Sequence, residues 1–237
     1  MKRMIPNFVV SMTLITLLST PVLAELRLPS IIGENMVLQR DQQLPIWGWD
    51  TAGSTVHVSI GGQTASAKAD DEGRWLVHLK PLSAGGPHEM QIKGTTEKVL
   101  KNVAVGEVWL CSGQSNMEWA VRSSNNPQEE IAAANYPLIR HIKIPHTPKA
   151  EPEDDVPSTG WQETNPQTVG AFTAVGYFFG RELHQELNVP IGLIGSNWGG
   201  TRIEPWTPPV GFKHVPVLKS IADNLAAYPQ KKADGVW

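Results

Sequence analysis

The strongest constraint on the fold is a change of hydrophobic period partway along the chain. From residue 25 to about residue 104, apolar and polar residues alternate in short runs: 55–60 (TVHVSI), 75–79 (WLVHL), 89–93 (EMQIK) and 99–105. Alternation with period two over such lengths predicts half-buried strands. The runs are separated by Gly61-Gly62, by Asp70-Asp71-Glu72-Gly73 and by the segment from Ser83 to Pro87. That is turn chemistry at the spacing of a small antiparallel β-sandwich. Beyond Gly106 the alternation stops. Segments 107–111 (EVWLC) and 191–196 (IGLIGS) are unbroken apolar runs, the pattern of strands covered on both faces of a parallel sheet. Between them Phe172, Val175, Phe179, Leu183 and Leu187 recur at spacings of 3, 4, 4 and 4, which predicts a helix ending near Asn188-Val189-Pro190. Strand, helix, strand is an α/β signature. A further strand is expected at 141–144, and the stretch 145–170, with five prolines, reads as a long surface loop. The expected fold class is α/β with an N-terminal all-β domain, divided into 25–104 and 105–237.

Composition narrows the function classes. Twenty basic against 23 acidic residues leave a formal net charge of -3, which gives no field to recruit nucleic acid or an anionic membrane. The 21 Gly and 19 Pro fit many short strands better than a helix bundle, and the 9 Trp offer broad flat surfaces of the kind common at sugar sites. The single cysteine, Cys111, can make no intramolecular disulfide. No His-Glu-x-x-His pair occurs among the seven histidines, so no metal is expected.

Residues 1–24 read as a secretory signal peptide. Lys2 and Arg3 precede an uncharged apolar stretch from Phe8 to Leu18, and Val22-Leu23-Ala24 supplies a small-residue cleavage pattern. The stretch falls short of the roughly 20 residues needed to span a bilayer. A secreted or periplasmic protein, cut near Ala24 and without a membrane anchor, is the expectation.

Two segments carry candidate chemistry. In 108–119 (VWLCSGQSNMEW) a buried strand runs into Ser112-Gly113-Gln114-Ser115-Asn116. A serine placed where a strand stops and a helix begins sits at the carboxyl edge of the sheet, where open α/β sites form. Ser115 is the candidate nucleophile, with backbone N–H groups of the following turn aimed at a developing oxyanion. Met117 stands where a Gly-x-Ser-x-Gly elbow would need its second glycine, so that motif does not apply. In 194–206 (IGSNWGGTRIEPW) Gly199-Gly200 can present bare N–H groups, and Asn197 can add a side-chain donor. Each segment alone also fits a plain turn or a glycine-rich connection that lets Trp198 and Trp206 pack.

SGQSNMEW followed by GSNWGGTRIEPW resembles the sialate O-acetylesterase family of the SGNH-hydrolase superfamily. The start LRLPSIIGENMVLQRDQQLPIWGW and the stretch GRWLVHLKPLSAGGPHEMQI resemble that family's N-terminal β domain. The similarity spans residues 25 to 210. It implies a flavodoxin-like three-layer α/β hydrolase domain, incomplete here, that acts as a serine esterase removing O-acetyl groups from sialic acid or related sugars without metal or cofactor. By motif position Ser115 matches the nucleophile and Gly200, or else Gly199, the oxyanion-hole glycine, while Gln114 and Asn116 shape the turn at the substrate.

Enzymes of that superfamily carry an Asp-x-x-His pair whose histidine is the base for the serine. None of the eight aspartates here has a histidine three residues on, and the family's later Gln-Gly-Glu block is also missing. The expectation is an N-terminal portion of a longer protein, with little or no esterase activity of its own, whose last parallel strand exposes an edge. His184 is expected at the wrong end of the sheet, His214 on a solvent-facing loop, and Cys111 buried and inert. A non-catalytic carbohydrate-binding protein and an acetylesterase of plant polysaccharide are the competing readings.

Overall fold

The computed structural model describes residues 25–149, 152–213 and 215–227. Residues 1–24, read above as a signal peptide, and His214 lie outside the described residues.

Strands β1 (Val37–Gln39), β2 (Leu44–Trp49), β3 (Thr55–Ile60), β4 (Gln63–Lys68), β5 (Arg74–Leu79), β6 (Gly85–Lys93) and β7 (Glu97–Gly113) come first. A one-turn helix α1 (Ser115–Glu118), a short helix α2 (Pro127–Ala133), strands β8 (Tyr136–Lys143) and β9 (Gln162–Thr164), helix α3 (Ala174–Leu187) and strand β10 (Ile191–Asn197) follow. Helices α4 (Pro209–Lys213) and α5 (Lys219–Ala226) end the described chain. The class is mixed α/β, with a large sheet in the order β4-β3-β6-β7-β10-β8-β9, β1 alongside β7, and a separate pair β2-β5.

The alternating runs became strands because one face of each is buried. In β3 the pattern leaves Val56, Val58 and Ile60 at 2% exposure or less. Val77 and Leu79 of β5, Met90 and Ile92 of β6, and Ile46 of β2 close over the same core. Ile142 of β8 and Trp161 join this cluster, so the core continues beneath the α/β part.

The two runs on either side of Gly106 are one strand. β7 pairs antiparallel with β6 through Glu97 to Val105 and parallel with β10 through Glu107 to Gly113, so the point 104/105 lies inside a continuous strand. A switch of period in one strand records a change of neighbours, from antiparallel β6 to parallel β10.

Three strands run parallel in the order β7-β10-β8. The expectation that the last of them lies at an edge is corrected: β10 is central, and antiparallel β9 covers β8. The open edge belongs instead to β7. The side chain of Gln39 accepts from Val108 N–H at 2.9 Å, and beyond it no described strand pairs with that edge; Leu110 there is 65% exposed.

The proline-rich stretch 145–170 is likewise no plain surface loop. It carries β9, and Trp161 is buried with its indole N–H donating to the Ile31 carbonyl at 2.8 Å. A three-residue strand is too short to show a period, and the prolines around it dominate the pattern. Helix α3 begins at Thr173, whose hydroxyl accepts from Gly176 N–H, and ends at left-handed Asn188, one residue from the sequence expectation.

Candidate active site

Parallel register puts the ends of β7 and β10 side by side. Gly113 is level with Asn197, and the Trp198 N–H donates to the Gly113 carbonyl at 2.9 Å. The chain leaves β7 through Gly113 at φ +141°, a region that excludes side-chain-bearing residues, and enters α1 at once. Ser115 is therefore the first residue of that helical turn, exposed at the carboxyl edge of the sheet. Among the described residues its hydroxyl has no hydrogen-bond partner.

The glycine pair after β10 comes directly against it. A Cβ at Gly199 would come within 2.8 Å of Glu118 Oε2 and lie 3.3 and 3.4 Å from the Cα and Cβ of Ser115, so glycine permits this close packing. Gly200 follows at φ +78° with open space on its side-chain side. The Gln114 carboxamide donates to the Thr201 carbonyl, and Thr201 in turn bonds the Trp198 carbonyl and the Trp206 indole, each at 2.8 Å. The two segments singled out in the sequence thus form one surface.

Glu118 is the residue that sequence reasoning missed. One carboxylate oxygen accepts the Gly199 N–H at 2.6 Å and the other lies 2.7 Å from His146 Nε2. His146 stacks on Trp198 with ring centroids 4.3 Å apart and planes within 4°. The Gly199 N–H, more than the His146 contact, holds the Glu118 carboxyl below the ordinary glutamate range against a burial effect of opposite sign. The available signal was position: His146 lies three residues past β8, whose carboxyl end faces the same way as those of β7 and β10.

Two of the candidate residues are bonded within the chain. The Gly199 N–H is given to Glu118, while the Gly200 N–H has no hydrogen-bond partner among the described residues. Asn197 is 5% exposed and its amide donates to the Cys111 carbonyl at 3.2 Å, which braces β10 against β7. Asn116 is exposed beside Ser115. Burial pushes the Cys111 thiol up to about 11, which keeps it protonated and inert. His184 bonds the Val189 carbonyl ahead of the first residue of β10. Ser115 stands past the other end of that seven-residue strand, roughly 20 Å away, so His184 is no base for it.

A cleft of about 280 Å³ opens beside Ser115, lined by Ser115, Glu118, Trp119, Ala120, Arg122 and Ser123. A larger concavity, about 580 Å³, lies between the segment from Glu25 to Ile32 and the start of β7, and none of the site residues lines it. No group of His, Cys, Asp or Glu among the described residues is arranged to hold a metal ion. No described helix is long and apolar enough to cross a membrane.

Comparison with known proteins identifies the family. Residues 105–235 match the family described as "Carbohydrate esterase, sialic acid-specific acetylesterase". The chain is 36% identical to the human sialate O-acetylesterase over 228 residues and 35% identical to that of Pongo abelii over 228 residues; each alignment takes in 86% of this chain and 43% of the relative. Among solved structures it resembles a carbohydrate acetylesterase from Xanthomonas citri with a TM-score of 0.77 and 38% identity, covering 80% of this chain and 44% of that one. The chain therefore spans less than half the length of these relatives.

Proposed function

Because the chain belongs to the carbohydrate esterase family of sialic acid-specific acetylesterases, we propose that it supplies the nucleophile of an enzyme that removes O-acetyl groups from sialic acid. The observation that carries this reading is the contact between Gly199 and Ser115, which sets an exposed serine and a free glycine amide at adjacent strand ends.

In this reaction Ser115 Oγ attacks the acetyl carbonyl. The N–H groups of Ser115 and Gly200 hold the oxyanion. The ester C–O bond then breaks, the sugar hydroxyl departs with a proton, and water hydrolyses the acetyl-serine to acetate. Gln114 and Asn116 shape the turn that presents Ser115. The step needs a base. The sequence contains no Asp-x-x-His, and no described histidine bonds Ser115. A serine without its base is a weak nucleophile, and loss of one triad member removes most of the rate. The 237-residue chain by itself is accordingly a slow catalyst.

The same reading takes 25–104 as a small β-sandwich domain, 105–237 as the first part of an SGNH-type hydrolase domain, and 1–24 as a signal peptide directing the protein to the periplasm or outside. Its sugar preference is read from acetate released from a 9-O-acetylated sialoside and from acetylated xylan. Release from the sialoside that disappears in Ser115→Ala supports the proposal. Release only from xylan moves the substrate to plant polysaccharide, and binding of sugar without any acetate makes the chain a carbohydrate-binding protein.

A further inference from the structure

The cleft beside Ser115 contains a cation that the protein does not use. Arg122 lines it, is exposed, and makes no hydrogen bond, ion pair or ring contact with its side chain among the described residues. The neighbouring Glu118 carboxylate makes no ion pair with it; its oxygens bond the Gly199 N–H and His146 instead. By contrast Arg27, Arg40, Arg74 and Arg181 all have carboxylate partners.

Trp119 forms another wall of the cleft. Its ring is 57% exposed, yet it is held in place: the indole N–H donates to the Ser123 carbonyl at 2.9 Å, and its own carbonyl accepts from Ala174 N–H at 2.7 Å. A fixed, exposed indole is a platform for the apolar face of a sugar ring. A planar guanidinium beside it matches a carboxylate with two parallel N–H donors.

We propose that Arg122 is a specificity-determining residue: its guanidinium pairs with the carboxylate of an acidic sugar lying against Trp119, and so selects anionic over neutral acetylated sugars at Ser115. The inference rests on the acetylesterase reading of the site and adds to it the residue that reads the charge.

The test uses binding, which needs no turnover. Affinities of the 237-residue chain carrying Ser115→Ala are measured by calorimetry for 9-O-acetyl-N-acetylneuraminic acid and for its neutral methyl ester, with Arg122 intact, as Arg122→Gln and as Arg122→Lys. With Arg122 intact the acid binds roughly tenfold or more tightly than the ester, the factor that about 1.4 kcal/mol represents. Arg122→Gln makes the two equal, and Arg122→Lys keeps part of the preference. The preference shrinks with added salt, since the cleft is open to solvent. An acid preference unchanged in Arg122→Gln, equal binding with Arg122 intact, or binding of neither ligand overturns the proposal. Failure of the underlying reading shows separately, as acetate release that persists in Ser115→Ala.

Discussion

The carboxylate of Glu118 accepts the backbone N–H of Gly199 at 2.6 Å, joining the loop that follows β7 to the loop that follows β10. Ser115 and the glycine pair are thus held together by a side chain that stands three residues past Ser115, on the same short helical turn.

Loss of that carboxylate should loosen the second loop. Glu118→Ala is expected to raise hydrogen exchange at the Gly199 amide and to slow acylation of Ser115 roughly tenfold or more, the scale of one charge-assisted hydrogen bond. Glu118→Gln, which can still accept, should lie between. The pH dependence follows from the lowered carboxyl. The contact is fully present above the ordinary glutamate range, and it is lost as pH falls through the depressed value in the folded protein. NMR of the Gly199 amide from pH 7 downward checks both the sign and the residue.

His141 supplies a second acid-sensitive element. It is 4% exposed, its ring packs against Phe172 with centroids 4.4 Å apart and planes tilted by 31°, and its Nε2 has no partner among the described residues; burial pushes it down to about 4. The unfolded chain binds this proton near pH 6.5 and the folded chain only near 4. Stability is therefore full above about 6.5 and falls as pH drops toward 4, by up to about 3 kcal/mol from this group. Urea unfolding between pH 7 and 4.5 should show the fall, and His141→Phe should flatten it.

Arg140 ties the α/β strands to the N-terminal part. It is 2% exposed and donates to the Asn35 carbonyl at 3.1 Å and to Asn102 Oδ1 at 2.9 Å, while Asn102 donates to Glu163 at 2.7 Å. Arg140→Met keeps the bulk and strands these acceptors in the core. A loss of roughly 2–5 kcal/mol is expected, seen as a fall in Tm of about 5–15 °C. A change under 2 °C would contradict the network's role.

Much of this arrangement was legible in the sequence, and the exceptions have physical reasons. Hydrophobic period located β3 and helix α3 to within two residues; β3 buries that apolar face, whereas in α3 Val175, Phe179 and Leu187 of the period are exposed and Ala174, Gly176, Tyr177 and Gly180 are the buried residues. The continuity of β7 was not legible, since a strand that changes neighbours changes its pattern without ending. β4 (QTASAK) was missed because its inward residues, Gln63, Ala65 and Ala67, are polar or small and none reaches full burial. At the site, Ser115 and the glycine pair were readable from their places at strand ends. Glu118 and His146 were not, because their partnership joins chain positions 28 residues apart and depends on the register of β8 against β10.

The central claim is that Ser115 is the residue acylated. Its most direct test is mass spectrometry of peptides from the protein after incubation with the activated ester p-nitrophenyl acetate, beside Ser115→Ala. One acetyl group on the peptide containing Ser115, absent from the variant, is the predicted result. Acetylation confined to other residues, or identical in the variant, would contradict it.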